Sequence, residues 1–291
     1  MPSHKRIEYV IFDMDGLMID SERVYTDVTS SCPPLLKHYD ILAPYGAEMT
    51  WDIKAGLMGK RTSHARGLSL PPAQGSDTDQ PTSHPAQADR AAAAHLLSHF
   101  PDIPLTIDDY LARRTAEQDA RWPHVQLLPG VARLVAHLAA HGVPIGIATG
   151  SVRRSFDRKT AHLQHVFAHF GSNVVCGDDG AGRGKPFPDV FLAAARMLGR
   201  AVGPNEEGGI VAEAEREVRA RGLVFEDAVP GVQAGKRAGM SVVWVPDENL
   251  LSIRPSLDIG KPDQILRSLE DFIPEEWGLP PFDAIPIGQQ S

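Results

Sequence analysis

The chain has 291 residues, 42% of them hydrophobic and 23% charged, which fits a folded enzyme-sized protein of one large domain or two ordinary ones. Basic residues number 29 against 37 acidic ones, and the net charge of −8 argues against nucleic acid or an anionic membrane as the main partner. A small phosphorylated molecule needs only a local positive site and stays open.

In chain order, Tyr9–Phe12 is a short apolar run of the kind buried in a parallel sheet. It ends on Asp13 and Asp15, followed by Gly16. Two carboxylates one residue apart raise each other's pKa, and a divalent cation relieves that repulsion, so the pair suggests a magnesium site. The plainer alternative is a polar turn closing the strand. Ser21 is placed to cap a helix carrying Val24, Tyr25 and Val28. Trp51–Met58 reads as a further helix stopped by Gly59. Lys60, Arg61 and His64 then form either a solvated basic loop or a substrate loop.

Residues 69–89 are rich in Pro, Gln, Ser, Thr, Asp and Gly, and are expected to be a disordered insertion. Ala91–Phe100 resumes a helix, and Thr106 with Asp109 has the pattern of a capping box opening another that runs to about Arg121. Residues 20–125 therefore read as a helical module with no convincing strand.

Beyond Leu127 the period changes. Val131, Leu134, Val135 and Leu138 make one face of a helix stopped at Gly142, and Pro144–Ala148 is a strand ending on Thr149, Gly150 and Ser151. A polar helix, a strand over Asn173–Cys176, a loop carrying Lys185 and an Ala-rich helix to Leu198 follow. Residues 199–222 read as a surface insertion with one solvated helix. Leu223–Phe225 is a strand ending on Glu226 and Asp227, Gly231–Ala238 a helix closed by Gly239, and Ser241–Val245 a strand. Alternating strands and helices predict an α/β fold with a parallel sheet covered on both faces.

Ligands in such a sheet bind beyond the carboxyl ends of the strands. Asp13, Asp15, Thr149, Lys185, Glu226 and Asp227 all fall at that rim. Carboxylates from two strands suit Mg²⁺, while Lys185, the Thr149 hydroxyl and the amides opening the next helix suit a phosphate. Taken singly, Thr149 could be a helix cap, Lys185 a surface charge and Glu226-Asp227 a solvated strand end. Their coincidence at one edge favours a site.

With these residues in place, the sequence resembles the haloacid dehalogenase-like (HAD) hydrolase superfamily. Asp13-Met-Asp-Gly16 matches its first motif, Thr149 its second, Lys185 in Gly-Lys-Pro-Phe-Pro-Asp its third and Glu226-Asp227 its fourth. Val10–Asp20, Leu57–Lys60, Ser155–Thr160, Gly177–Asp179, Val224–Ala228, Gly239–Val243 and Gly278–Pro280 are similar to the pseudouridine-5′-phosphatase group within it.

The resemblance implies a Rossmann-like core over 1–19 and 126–291, with a small α-helical cap over 20–125. It further implies Mg²⁺-dependent hydrolysis of a phosphomonoester, with pseudouridine 5′-phosphate the first candidate and sugar or glycerol phosphates the alternatives. Asp13 would be the nucleophile and Asp15 the general acid and base, with Lys185 and Thr149 on the phosphate. Gly150, Ser151, Gly59 and Lys60 would meet the substrate. Mg²⁺ would rest on Asp13, Glu226, Asp227 and the main-chain oxygen of Asp15.

A phosphomutase shares every motif and is the nearest rival. A P-loop enzyme is excluded, because Asp179 replaces the first glycine and Pro186 follows Lys185. A non-catalytic scaffold would not need the complete residue set. The two cysteines, Cys32 and Cys176, and the absence of an apolar leader or membrane-length run lead to the expectation of a monomer in the cytoplasm.

Overall fold

The computed structural model describes residues 6–29, 41–47, 85–205, 210–247, 250 and 260–283. In chain order, β1 (Tyr9–Phe12) is followed by α1 (Ser21–Thr29), α2 (Pro85–Ser98) and α3 (Ile107–Arg121). Next come α4 (Val131–Ala140), β2 (Ile145–Ala148), α5 (Arg153–Thr160), α6 (Gln164–Phe167), β3 (Val174–Val175) and α7 (Asp189–Met197). The remaining elements are α8 (Glu213–Ala220), β4 (Gly222–Glu226), α9 (Val229–Arg237), β5 (Ser241–Trp244) and β6 (Gln264–Ile265).

The six strands form one sheet in the order β3-β2-β1-β4-β5-β6, and every neighbouring pair is parallel. The α/β class expected from the strand–helix alternation is the class observed. Strand β1 lies at the centre and alternates its side chains between two faces. Tyr9 and Ile11 join Val224, Val242 and Trp244 in a core covered by α7 and α9. Phe12 stacks on Phe225 with centroids 5.0 Å apart and meets Phe170 edge-on at 5.9 Å, while Phe225 packs against Phe272. Each such fully buried phenyl ring contributes about 1.5–3 kcal/mol of transfer free energy.

The chain divides into two compact units, Met1–Asp20 with Gln126–Ser291, and Ser21–Val125. The second unit has its own small core of Ile41, Leu42, Ala93, Leu96, Leu105 and Tyr110. Thr106 caps α3 by accepting a hydrogen bond from the Asp109 N–H at 3.1 Å, as the sequence pattern implies. Among the described residues, no helix is long and apolar enough to cross a membrane.

Several local expectations need correction. Ser21 does not cap α1: it is the first helical residue, and its buried hydroxyl makes no hydrogen bond among the described residues. Helix α2 begins at Pro85, so the last residues of the 69–89 stretch are helical. Proline is well suited to a first helical turn, and Ala-Gln-Ala behind it favours continuation. The rest of that stretch lies outside the described residues, as do Trp51–Met58, Gly59, Lys60, Arg61 and His64.

The 199–222 segment is more than a surface insertion. Val202 and Val211 are buried, and Arg219 of α8 is only 2% exposed. The Arg219 guanidinium donates to the carbonyls of Val202 and Pro204, tying the segment to the helix that leads into β4. Gly222 already belongs to β4, where a Cβ would lie 2.5 Å from the Tyr9 ring. The short strand β6 has no counterpart in the sequence reading, because two half-buried residues carry too little periodicity to be seen.

Candidate active site

Strands β1 and β4 pair in register from Tyr9↔Gly222 to Phe12↔Phe225, so their carboxyl ends deliver Asp13 beside Glu226 and Asp227. The Asp13 N–H continues the ladder, donating to the Phe225 carbonyl at 3.0 Å. Carboxylate oxygens of Asp13, Glu226 and Asp227 come within 4.8 Å of one another. Asp13 and Glu226 are almost fully buried and Asp227 is partly exposed.

Lys185 enters from the loop before α7. Its ammonium donates to Asp13 Oδ1, and to Glu226 Oε1 at 2.5 Å. A buried charge without any such partner would cost several kcal/mol, and Lys185 has two. Glu226 Oε2 accepts the N–H groups of Asp227 and Ala228, both at 3.0 Å, which orients its carboxylate fully. Gly231 makes room for it: a Cβ there would lie 1.7 Å from Glu226 Oε1.

Burial pushes the Asp13 carboxyl up, against the pull of Lys185, and the charges of Glu226 and Asp15 add to the rise, bringing it to about 7. Lys185 shifts upward as well: burial opposes its charge, but Asp13 and Glu226 outweigh that and hold the ammonium protonated. A folded-state pKa raised from 3.8 to about 7 means that the folded protein binds this proton more tightly than the unfolded chain. The contribution is fully present below about pH 4 and is lost as pH rises through about 7. In EDTA, the thermal midpoint of the wild type is therefore expected to fall relative to Asp13→Asn between about pH 4 and pH 8. Parallel pH profiles for the two proteins would contradict that account.

Asp15 faces the other side of the rim. Its Oδ1 accepts from Lys159 Nζ at 2.5 Å, and its Oδ2 from Ser151 Oγ at 2.7 Å and, more weakly, from Thr149 Oγ1 at 3.4 Å. Lys159 also donates to Ser151 Oγ at 3.0 Å, so ammonium, hydroxyl and carboxylate close a small network. Thr149 is fully buried and accepts the Ser151 N–H at 3.0 Å, shaping the turn after β2. Ser151, expected to meet substrate, thus has its hydroxyl on Asp15. Gly150 is in close approach to Gly177, where a Cβ would lie 2.5 Å from the Gly150 carbonyl oxygen. Thr149, Gly150, Gly177, Gly184 and Lys185 help line a cavity of about 40 Å³.

Of the expected site residues within the described chain, Asp13, Lys185, Glu226 and Asp227 form one cluster, and Asp15, Thr149 and Ser151 an adjoining one. The carboxylate of Asp15 belongs to the second. Lys159 is the participant that the sequence reading passed over. A signal for it exists: Phe156, Lys159 and Thr160 share the buried face of an otherwise polar helix at i, i+3 and i+4. A lysine on such a face requires an anionic partner.

Comparison with known proteins agrees with this geometry. A family model described as haloacid dehalogenase-like hydrolase matches residues 7–239. The chain is 37% identical over 281 residues to "(DL)-glycerol-3-phosphatase 2" of Arabidopsis thaliana, covering 95% of this chain and 93% of that protein. It is 32% identical over 280 residues to "Probable pseudouridine-5'-phosphatase" of Drosophila melanogaster, covering 96% of each. Among solved structures, a HAD family hydrolase from Deinococcus radiodurans R1 with bound phosphate and sodium shares the fold. Its TM-score is 0.61 at 22% identity, over 94% of this chain and 98% of that one. Sheet order, clustered carboxylates and near full-length similarity converge: the chain belongs to the haloacid dehalogenase-like hydrolase family.

Proposed function

We propose that the chain is a Mg²⁺-dependent phosphatase that hydrolyses the phosphomonoester of a small primary alcohol through an aspartyl-phosphate on Asp13. The observation that carries this reading is the buried Asp13–Lys185–Glu226 group with Asp227 beside it. With Asp13 ionised, three carboxylates against one ammonium leave two negative charges, which suits a divalent cation bound through hard oxygen ligands. Glu226 is engaged on both oxygens, so Asp13 and Asp227 are the residues to hold Mg²⁺ directly, with Glu226 fixing Lys185 and the backbone around them. The ion would shield the nucleophile from the incoming phosphate and draw charge from the transferring oxygens.

Asp13, once ionised, attacks phosphorus while the alcohol leaves. Asp15, entering the step as the protonated carboxyl, gives the leaving oxygen its proton, and as the resulting carboxylate takes one from the water that hydrolyses the intermediate. Lys159 and Ser151 hold the Asp15 carboxylate in one orientation, and Lys185 with the Thr149 turn steadies the transferring phosphoryl group. The helical unit is read as the family's cap, with Gly59 and Lys60 the candidates for choosing the leaving group.

The two relatives described above carry names that specify a substrate, glycerol 3-phosphate and pseudouridine 5′-phosphate. Both compounds are phosphate esters of a primary alcohol. The higher identity favours the first, while the stretches quoted from Val10–Asp20 to Gly278–Pro280 favour the second. Phosphate release should be measured from both esters, a hexose 6-phosphate and uridine monophosphate, with and without Mg²⁺. The expected result is Mg²⁺-dependent release with at least ~10-fold higher kcat/KM for one of the two named esters. A rate that needs catalytic sugar bisphosphate would mark a mutase instead, and no release from any ester would remove the enzyme reading.

A further inference from the structure

We propose that His137, His141 and Asp283 form a second cation site, selective for a transition metal such as Zn²⁺ and remote in character from the acidic centre. The three side chains each bring one ligand atom within 4.8 Å of the others. His137 and His141 are four residues apart at the C-terminal end of α4, so both imidazoles stand on one side of the helix. Asp283 comes to them on the segment after Leu279. That segment is held in place, since His137 Nε2 is 2.9 Å from the Pro280 carbonyl and the Phe282 ring lies 4.7 Å from the His137 ring.

The ring nitrogens that face no main-chain carbonyl are taken as the ligands. His137 can donate only through Nε2–H to Pro280, which leaves its Nδ1 as the lone-pair nitrogen. His141 Nδ1 lies 2.9 Å from the His137 carbonyl and must donate there, which leaves its Nε2. Each ring therefore gives its second N–H to a main-chain carbonyl, the arrangement that fixes tautomer and orientation in metal-binding histidines. Two imidazoles and one carboxylate, with water completing the shell, suit Zn²⁺ and discriminate against Mg²⁺.

Tetrahedral Zn²⁺ needs its ligand atoms about 3.3 Å apart, a spacing inside the 4.8 Å that bounds their separations here. His141 and Asp283 are both exposed, so an ion can reach them from solvent. The C-terminal end of α4 presents carbonyl oxygens that favour a cation. Arg133 works against it: its guanidinium lies 4.2 Å from the Phe282 ring centroid and donates to the Glu270 carbonyl. Occupancy would clip the Pro280–Asp283 segment to α4.

The test uses the full chain, stripped with EDTA and held in saturating Mg²⁺ so that the acidic centre is filled. Zn²⁺ is titrated by calorimetry, and Co²⁺ by its visible absorption. The expected result is one Zn²⁺ per chain with a nitrogen-ligand Co²⁺ spectrum, weakened at least ~10-fold in both His141→Ala and Asp283→Asn. Mg²⁺-dependent phosphate release should be unchanged in both variants. Equal Zn²⁺ affinity in wild type and variants would place the ion on other ligands and overturn the proposal, as would no binding by the wild type.

Discussion

Asp13→Asn is expected to lower Mg²⁺-dependent phosphate release by roughly 10³-fold or more while leaving the chain folded. The amide cannot attack phosphorus, and it removes one of the charged oxygens offered to the cation. The fold should survive because Lys185 keeps Glu226 as its partner at 2.5 Å, and Glu226 keeps its two backbone donors. The side chain's other surroundings are unchanged by the near-isosteric swap. Steady-state release, with near-ultraviolet circular dichroism as the control for folding, decides the matter. Residual activity above about a tenth of wild type would eliminate Asp13 as nucleophile. Loss of activity together with loss of folded signal would instead show that the Asp13–Lys185 pair is chiefly structural.

Lys159→Met is the second large effect, and it separates positioning from chemistry. The Lys159 side chain is 1% exposed and the Asp15 side chain 20% exposed. Deleting the ammonium takes a buried cation away from Asp15 Oδ1, which it meets at 2.5 Å. Breaking a fully buried ion pair costs about 3–5 kcal/mol, and the partial exposure of Asp15 reduces the expected loss here to about 2–3 kcal/mol. Turnover should fall by roughly 10²-fold, because Asp15 loses the contact that aims it at the leaving oxygen. Urea denaturation of Lys159→Met, Asp15→Asn and the double variant measures the coupling. Stability should return in the double variant, since no carboxylate is then stranded, whereas activity should not. Additive losses in the double variant, or a Lys159→Met enzyme with wild-type turnover, would refute the role given to Lys159.

The parts of this site that could be read from the chain are those that local pattern encodes. An apolar run interrupted by two aspartates, an apolar strand ending on Thr149 and a third strand ending on Glu226-Asp227 each carry their meaning within about ten residues. A parallel sheet then brings those ends together, because every strand points the same way. What local pattern obscured was the state of those groups. The sequence offers Glu226 as a carboxylate for a metal, and does not reveal that it also accepts from Lys185 and two backbone amides. Ser151 is expected from the sequence to meet substrate, and its donation to Asp15 is not visible there. The 199–222 segment looks solvated from its glycines and glutamates, but Arg219 draws it inward through carbonyls that no periodicity reveals.

The sequence by itself determined the α/β class and the residue types at the rim, because hydrophobic period and strand-end chemistry are short-range properties; the strand order came from the packed sheet. Tertiary structure alone decided which charges neutralise which. Lys159 meets Asp15 across 144 residues and Lys185 meets Asp13 across 172. Partners that far apart are chosen by the geometry of the packed sheet and by the high cost of leaving a buried charge alone, and neither quantity is written in any local stretch of the chain.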